Sequence, residues 1–344
     1  MNLIIIRNLS LFGALFTFIV ISVGAWVRLT DAGLGCPDWP GCYGILGTPD
    51  TESELLQAQK AYPDANIDVG KAWREMLHRY LAGLLGILVI IVSYLTFKYA
   101  SHVSKVLPIS LFFLIIIQSF MGMLTVTELV KPTIVTTHLI LGMSTAVLLF
   151  WNSLKVGDTV KTYDNMQNIG NTYKEDTSKK LSRLILLCIA ALILQIILGG
   201  WTSTNYASLA CTDFPKCTNA WWPENMNFSK GFTFFNLPSI NYELAPLSYD
   251  AKLAIHFSHR IGALAITLLY IYLFFYIFKK QSNTLLKNIG LFVLFFFFLQ
   301  ILLGISNVVY SLPISVAVLH TVNAAILLTG MVSLYYYSTY HTQR

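Results

Sequence analysis

The chain has 344 residues, of which 55% are hydrophobic and only 12% charged, whereas soluble domains carry about 25% charged residues. That composition excludes a soluble globular protein and points to a membrane. The net charge of +6 calls for no nucleic-acid partner, because the basic residues fall where membrane topology puts them.

Apolar runs of about 17 to 25 residues, long enough to cross the hydrocarbon core, recur at 8–27, 80–97, 106–126, 133–151, 184–201, 261–278, 289–309 and 314–337. Eight spanning helices and an all-α membrane protein are expected. The first run follows Arg7 but is too long for a signal peptide and lacks a small-residue cleavage site, so it reads as a retained helix. No Arg- and Ser-rich leader precedes it, which favours a bacterial cytoplasmic (inner) membrane over a mitochondrial one. Arg7, Lys98, Lys105, Lys279, Lys280, Lys287 and Arg344 would share one side with Lys155, Lys161, Lys174, Lys179, Lys180 and Arg183. By the positive-inside rule that side, with both termini, is cytoplasmic. The two long outer loops, about 28–72 and 202–251, hold cysteines, tryptophans and prolines and are expected to carry short interfacial helices.

Laying residues 1–153 over 181–337 reveals a duplication. Gly24-Ala25-Trp26 with Cys36, Asp38, Pro40 and Cys42 matches Gly199-Gly200-Trp201 with Cys211, Asp213, Pro215 and Cys217. Gln118 with Gly122 matches Gln300 with Gly304. Both halves start on the same side of the membrane, so the repeats run parallel. The expectation is two four-helix bundles, 1–153 and 183–344, related by a pseudo-twofold axis and joined by a polar cytoplasmic linker, 154–182.

Four histidines carry the functional signal. His78 and His138 fall in the first half and His259 and His320 in the second, with 60 or 61 residues between the members of each pair. An intramembrane imidazole is costly unless it faces a bundle interior with a partner. His138 stands roughly 9 Å inside Pro132 on a helix rising about 1.5 Å per residue, and His320 is placed similarly relative to Pro313. One haem per bundle, held by histidines of facing helices, fits this arrangement. Zinc is a weaker rival, since neither its four-ligand structural pattern nor His-Glu-x-x-His is present. His102 and His341 lie in cytoplasmic segments and read as solvated.

Glu75 lies three residues before His78, on one helical face with it, and the second half has His256 at that position. An acid in only one of two matched sites suggests chemistry assigned to that site; the plainer alternative is an ion pair with Arg74 or Arg79. His256 is either a spare ligand or a hydrogen-bond partner, with His259, the counterpart of His78, preferred as ligand. Arg79 and Arg260 suit either a carboxylate such as a haem propionate or snorkelling to lipid headgroups. Cys36 with Cys42 and Cys211 with Cys217 enclose five residues each on the oxidising side. Local disulfides are favoured among the three connectivities that four cysteines allow. Their default role is a structural staple, with thiol exchange as the alternative, and Cys188 reads as packing.

Together, the stretch Gly24-Ala25-Trp26-Val27-Arg28-Leu29-Thr30, then Gly33-Leu34-Gly35-Cys36-Pro37, Glu75-x-x-His78-Arg79, His138, His259-Arg260 and His320 resembles haem A synthase, the enzyme family that converts haem O to haem A for cytochrome oxidases. The resemblance spans nearly the whole chain, and the cysteine pairs match the bacterial type with both outer loops armed. It implies substrate haem O at His78 and His138, a haem b cofactor between His259 and His320, and Glu75 as acid, base or stabilising charge while one porphyrin methyl becomes a formyl group. It also implies a haem O synthase (protohaem farnesyltransferase) as partner and an electron acceptor that the sequence does not name, and it admits a homo-oligomer in membrane lipid. The rival readings are a two-haem b-type electron carrier, which needs no acid in one site only, and a transporter or assembly subunit without haem.

Overall fold

The structure is a computed structural model that describes residues 2–164, 175–235 and 237–340. Among them ten α-helices occur, and no strand forms beyond two isolated bridges. The helices are α1 (Leu3–Leu29), α2 (Glu52–Ala61), α3 (Val69–Tyr99), α4 (Val106–Thr127), α5 (Pro132–Asp164), α6 (Glu175–Thr204), α7 (Phe228–Gly231), α8 (Tyr249–Lys280), α9 (Thr284–Val309) and α10 (Ile314–Tyr340). All but α2 and α7 are long and apolar enough to cross a membrane, making this a multi-pass membrane protein. Large apolar side chains such as Phe12, Leu84, Phe113, Leu194, Leu268 and Phe298 stand exposed on their outer faces, an arrangement suited to lipid and costly in water.

Local chemistry sets the helix ends. Asn2 accepts from Ile4 N, Asp68 from Lys71 N and Asn283 from Leu285 N and Leu286 N, each filling orphan donors of a first turn. Thr51 and Glu54 form a reciprocal capping box on α2. Inside the spans, hydroxyls of Ser10, Thr17, Ser22 and Thr202 donate to the carbonyl four residues back, which satisfies them within their own helices.

Four boundaries differ markedly from the sequence expectation: α5 runs to Asp164 instead of 151 and α6 starts at Glu175 instead of 184, so helix continues into both ends of the expected linker. α3 starts at Val69 instead of 80, and α8 at Tyr249 instead of 261. Lys71, Arg74 and Glu75 depress hydropathy over the first turns of α3, yet the Asp68 cap starts the helix there. Glu75, His78 and Arg79 therefore lie well inside α3 instead of opening it. Of the expected linker, residues 165–174 lie outside the described residues, as do His341 and Arg344.

In the first half α1, α3, α4 and α5 form a ring through the contacts α1–α3, α3–α4, α4–α5 and α5–α1, and in the second α6, α8, α9 and α10 do the same. Between halves, α1 touches α10, α5 touches α6, and α5 touches α10. Exchanging the halves maps this set onto itself, which is compatible with a pseudo-twofold. The backbone repeats too. Left-handed residues Asp31, Tyr43, Leu129 and Val130 recur as Tyr206, Thr218, Ser311 and Leu312, and the bridge Cys42–Ile45 recurs as Cys217–Ala220.

Candidate functional site

Each of the four histidines projects from one helix against a glycine of the next. A Cβ on Gly24 of α1 would lie 2.7 Å from Cε1 of His78 on α3, and one on Gly199 of α6 would lie 3.1 Å from that of His259 on α8. Gly122 of α4 takes His138 of α5 at 3.3 Å, and Gly304 of α9 takes His320 of α10 at 3.2 Å. Only a residue without a side chain lets a backbone approach an imidazole this closely. His78 and His138 lie within electrostatic reach of each other, as do His259 and His320. The structure thus brings together each pair expected from the sequence.

These rings suit a bound macrocycle. All four are only half-buried, while Nδ1 of His78, His138 and His320 has no hydrogen-bond partner. Buried polar nitrogens without partners cost free energy unless a ligand takes them up, and imidazoles from facing helices are haem-iron ligands. Gln118 Nε2 approaches His138 Nε2 at 3.4 Å and donates to the His138 carbonyl at 3.1 Å. Gln300 does the same for His320, at 3.2 and 3.1 Å.

Above each pair sits a disulfide loop. Cys36–Cys42 and Cys211–Cys217 are bonded, with Cα atoms 4.8 and 4.7 Å apart, so the local connectivity holds. Asp38 accepts from Tyr43 N and Gly44 N, and Asp213 from Thr218 N and Asn219 N, closing each loop from inside. Arg79 donates through Nη1 to the carbonyls of Asp38 and Gly41, while Arg260 donates to those of Asp213, Lys216 and Cys211. The two guanidiniums thereby tie α3 and α8 to their loops.

Glu75 and His256 occupy the same place in the two halves. Glu75 is buried, accepts from Cys36 N at 2.8 Å and pairs with Arg79. His256, equally buried, has Cys211 N 3.1 Å from its Nδ1 and Arg260 Nε 3.3 Å from its Nε2, two donors of which a neutral ring accepts from one. The first half holds a carboxylate where the second holds a neutral-capable imidazole, in one scaffold of backbone N–H and arginine. His256 makes loop contacts, whereas His259 faces Gly199 and Gln195. Nearby, burial pushes the Tyr43 hydroxyl up, and the charges of Glu75, Asp68 and Asp38 push it the same way. Glu243, reaching from the second loop to within 3.5 Å of a Cβ on Gly33, is also pushed up by burial, against the pull of Lys71.

A family model described as cytochrome oxidase assembly protein, COX15-CtaA, matches residues 7–332. The chain belongs to the COX15-CtaA family. A haem A synthase of Shewanella oneidensis is 41% identical over 94% of this chain and 93% of its own length. Haem A synthases of Pelagibacter ubique and Halalkalibacterium halodurans are 29% and 26% identical, over 92% and 94% of this chain and 92% and 95% of their own lengths.

Within this COX15-CtaA chain, three residues at the histidines had drawn no attention in the sequence. Gln195 Nε2 meets His259 Nδ1 at 3.1 Å and the His259 carbonyl at 2.9 Å. Asn323 Nδ2 donates to Gln300 Oε1 at 2.6 Å, and Gly262 leaves room for the Gln195 amide. The available signal was an amide in an apolar run where the other half has Val20 or Leu141. His102 lies at the opposite end of the molecule, beside the Lys155 carbonyl, and Cys188 is buried in the second half's core.

Proposed function

We propose that the chain is a haem A synthase, an oxidoreductase that converts the methyl group of haem O to the formyl group of haem A for cytochrome oxidase. The observation that carries this reading is the unequal pair Glu75 and His256: one scaffold, repeated in both halves, holds a carboxylate in the first alone. The first half would hold substrate haem O at His78 and His138, and the second a haem b cofactor at His259 and His320. When bound, haem b supplies a one-electron redox centre.

Oxidising a C–H bond releases protons, and Glu75 is the buried carboxylate on the helical face of His78 that can take one. Its hydrogen bonds from Cys36 N and Arg79 favour the charged form and offset part of the cost of burial. The same charge is suited to stabilise an electron-deficient methyl carbon. Arg79 orients the carboxylate through one nitrogen and holds the Cys36–Cys42 loop through the other. A haem O synthase supplies the substrate in this account, and the electron acceptor is a partner of unassigned chemistry. The basic residues at the end opposite the disulfides support a bacterial cytoplasmic membrane with both termini inside.

A two-haem electron carrier would have no use for the Glu75 and His256 difference. Replacing Glu75 with Ala keeps a haem b spectrum and stops haem A formation; normal haem A accumulation by the variant would contradict the assigned role.

A further inference from the structure

Haem O carries two propionates on one edge of its macrocycle, and neither arginine that follows a ligating histidine is free to take them. Arg79 donates to the carbonyls of Asp38, Pro40 and Gly41 and pairs with Glu75, while Arg260 donates to those of Asp213, Lys216 and Cys211. Arg74 differs. It lies four residues before His78, so both side chains leave one face of α3, about one turn or roughly 6 Å apart along the axis. Arg74 Nε donates to the Gly70 carbonyl at 3.0 Å, and its guanidinium stands 5.9 Å from the centre of the Trp26 ring, on α1 two residues after the glycine that faces His78. Among the described residues, neither the two terminal nitrogens of Arg74 nor Trp26 Nε1 has a hydrogen-bond partner, and both side chains are half-buried.

The second half closes this place. Four residues before His259 stands Ile255, the counterpart of Arg74, and it is fully buried. There α7 packs on it, with a Cβ on Gly231 3.3 Å from Ile255 Cγ1. Trp201, the counterpart of Trp26, is buried and donates through Nε1 to the Gly231 carbonyl at 2.8 Å. One turn outward of the histidine, the first half thus presents a cation and an open N–H, where the second presents an apolar plug. A guanidinium binds a carboxylate through two parallel, charge-assisted hydrogen bonds. We propose that Arg74, with the Trp26 N–H beside it, binds a propionate of the substrate haem in the first half. This rests on the reading of that half as the haem O site. Ile255 and α7 exclude the same contact in the second half, so Arg74 acts on the substrate alone.

The test uses the full chain in detergent, purified from cells without a haem O synthase and titrated with haem O or with its propionate dimethyl ester, read by Soret absorption. The wild type is expected to bind haem O about 10- to 100-fold more tightly than the ester, the range that hydrogen bonds to a charged group span. Arg74→Gln is expected to weaken haem O by that factor and to leave the ester unchanged. Arg74→Lys, which keeps the charge without the fork, is expected to fall between. A structural role would weaken both ligands alike, and an arginine that serves lipid headgroups would leave both affinities unchanged in the variant; either outcome overturns the proposal. Should Arg74→Gln fail to fold, Arg74→Lys decides alone, and wild-type affinity for haem O is then fatal. A wild-type chain that binds neither ligand would instead overturn the proposed function.

Discussion

Gly24 and His78 set the tightest contact in the first site. A methyl group at Gly24 would stand 2.7 Å from the imidazole, and the ring cannot bend away without losing its aim at the bundle interior. Gly24→Ala is therefore expected to cost about 1–3 kcal/mol of overpacking and to weaken haem binding in the first half. Gly122→Ala, which would meet His138 at 3.3 Å, should be milder; haem titrations of the two variants by absorption check the order. The histidines were legible in the sequence because an ionisable side chain in an apolar helix stands out. Gln195 and Asn323 were not, since a single amide in a span has many ways to be satisfied and only the fold shows which neighbour it meets. The role of Arg79 and Arg260 was also hidden, because their loop carbonyls lie about 40 or more residues away in sequence.

At the scale of elements, the unit that repeats is a helix bound to a disulfide loop. Arg79 serves both Glu75 and the loop, through a planar fork that a lysine cannot reproduce. Arg79→Lys is expected to lower haem A formation at least tenfold and to loosen the first loop. Hydrogen exchange at the Tyr43 and Gly44 amides, both held by Asp38, should accelerate, while Thr218 and Asn219 in the second loop stay protected. Equal exchange in both loops would separate Arg79 from loop order. Helix number and type were readable from apolar run length, since eight spans appear where eight were expected. The starts of α3 and α8 were not, because a hydropathy pattern registers lipid-facing surface and misses a helix that continues into the interfacial zone.

For the molecule as a whole, the halves meet along α1, α5, α6 and α10, and a polar latch closes them at the disulfide end. Arg28 donates to the Ser203 carbonyl at 2.7 Å and lies 4.0 Å over the Tyr206 ring, while the Tyr206 hydroxyl donates to Asp31 at 2.7 Å. Arg28→Ala should destabilise the chain by about 1–3 kcal/mol, read as a lower thermal midpoint in detergent. Tyr206→Phe, which keeps the ring, should cost about 1 kcal/mol. The duplication in the sequence suggested a two-bundle plan, with which the helix contacts are compatible, yet this latch was invisible there because its members come from different halves.

Haem extraction and chromatography of the purified protein, expressed with and without a haem O synthase, tests the central claim most directly. Haem B alone without the synthase, and haem B together with haem O and haem A in its presence, is the predicted result. Two equivalents of haem B under both conditions would contradict the synthase account and favour electron transfer.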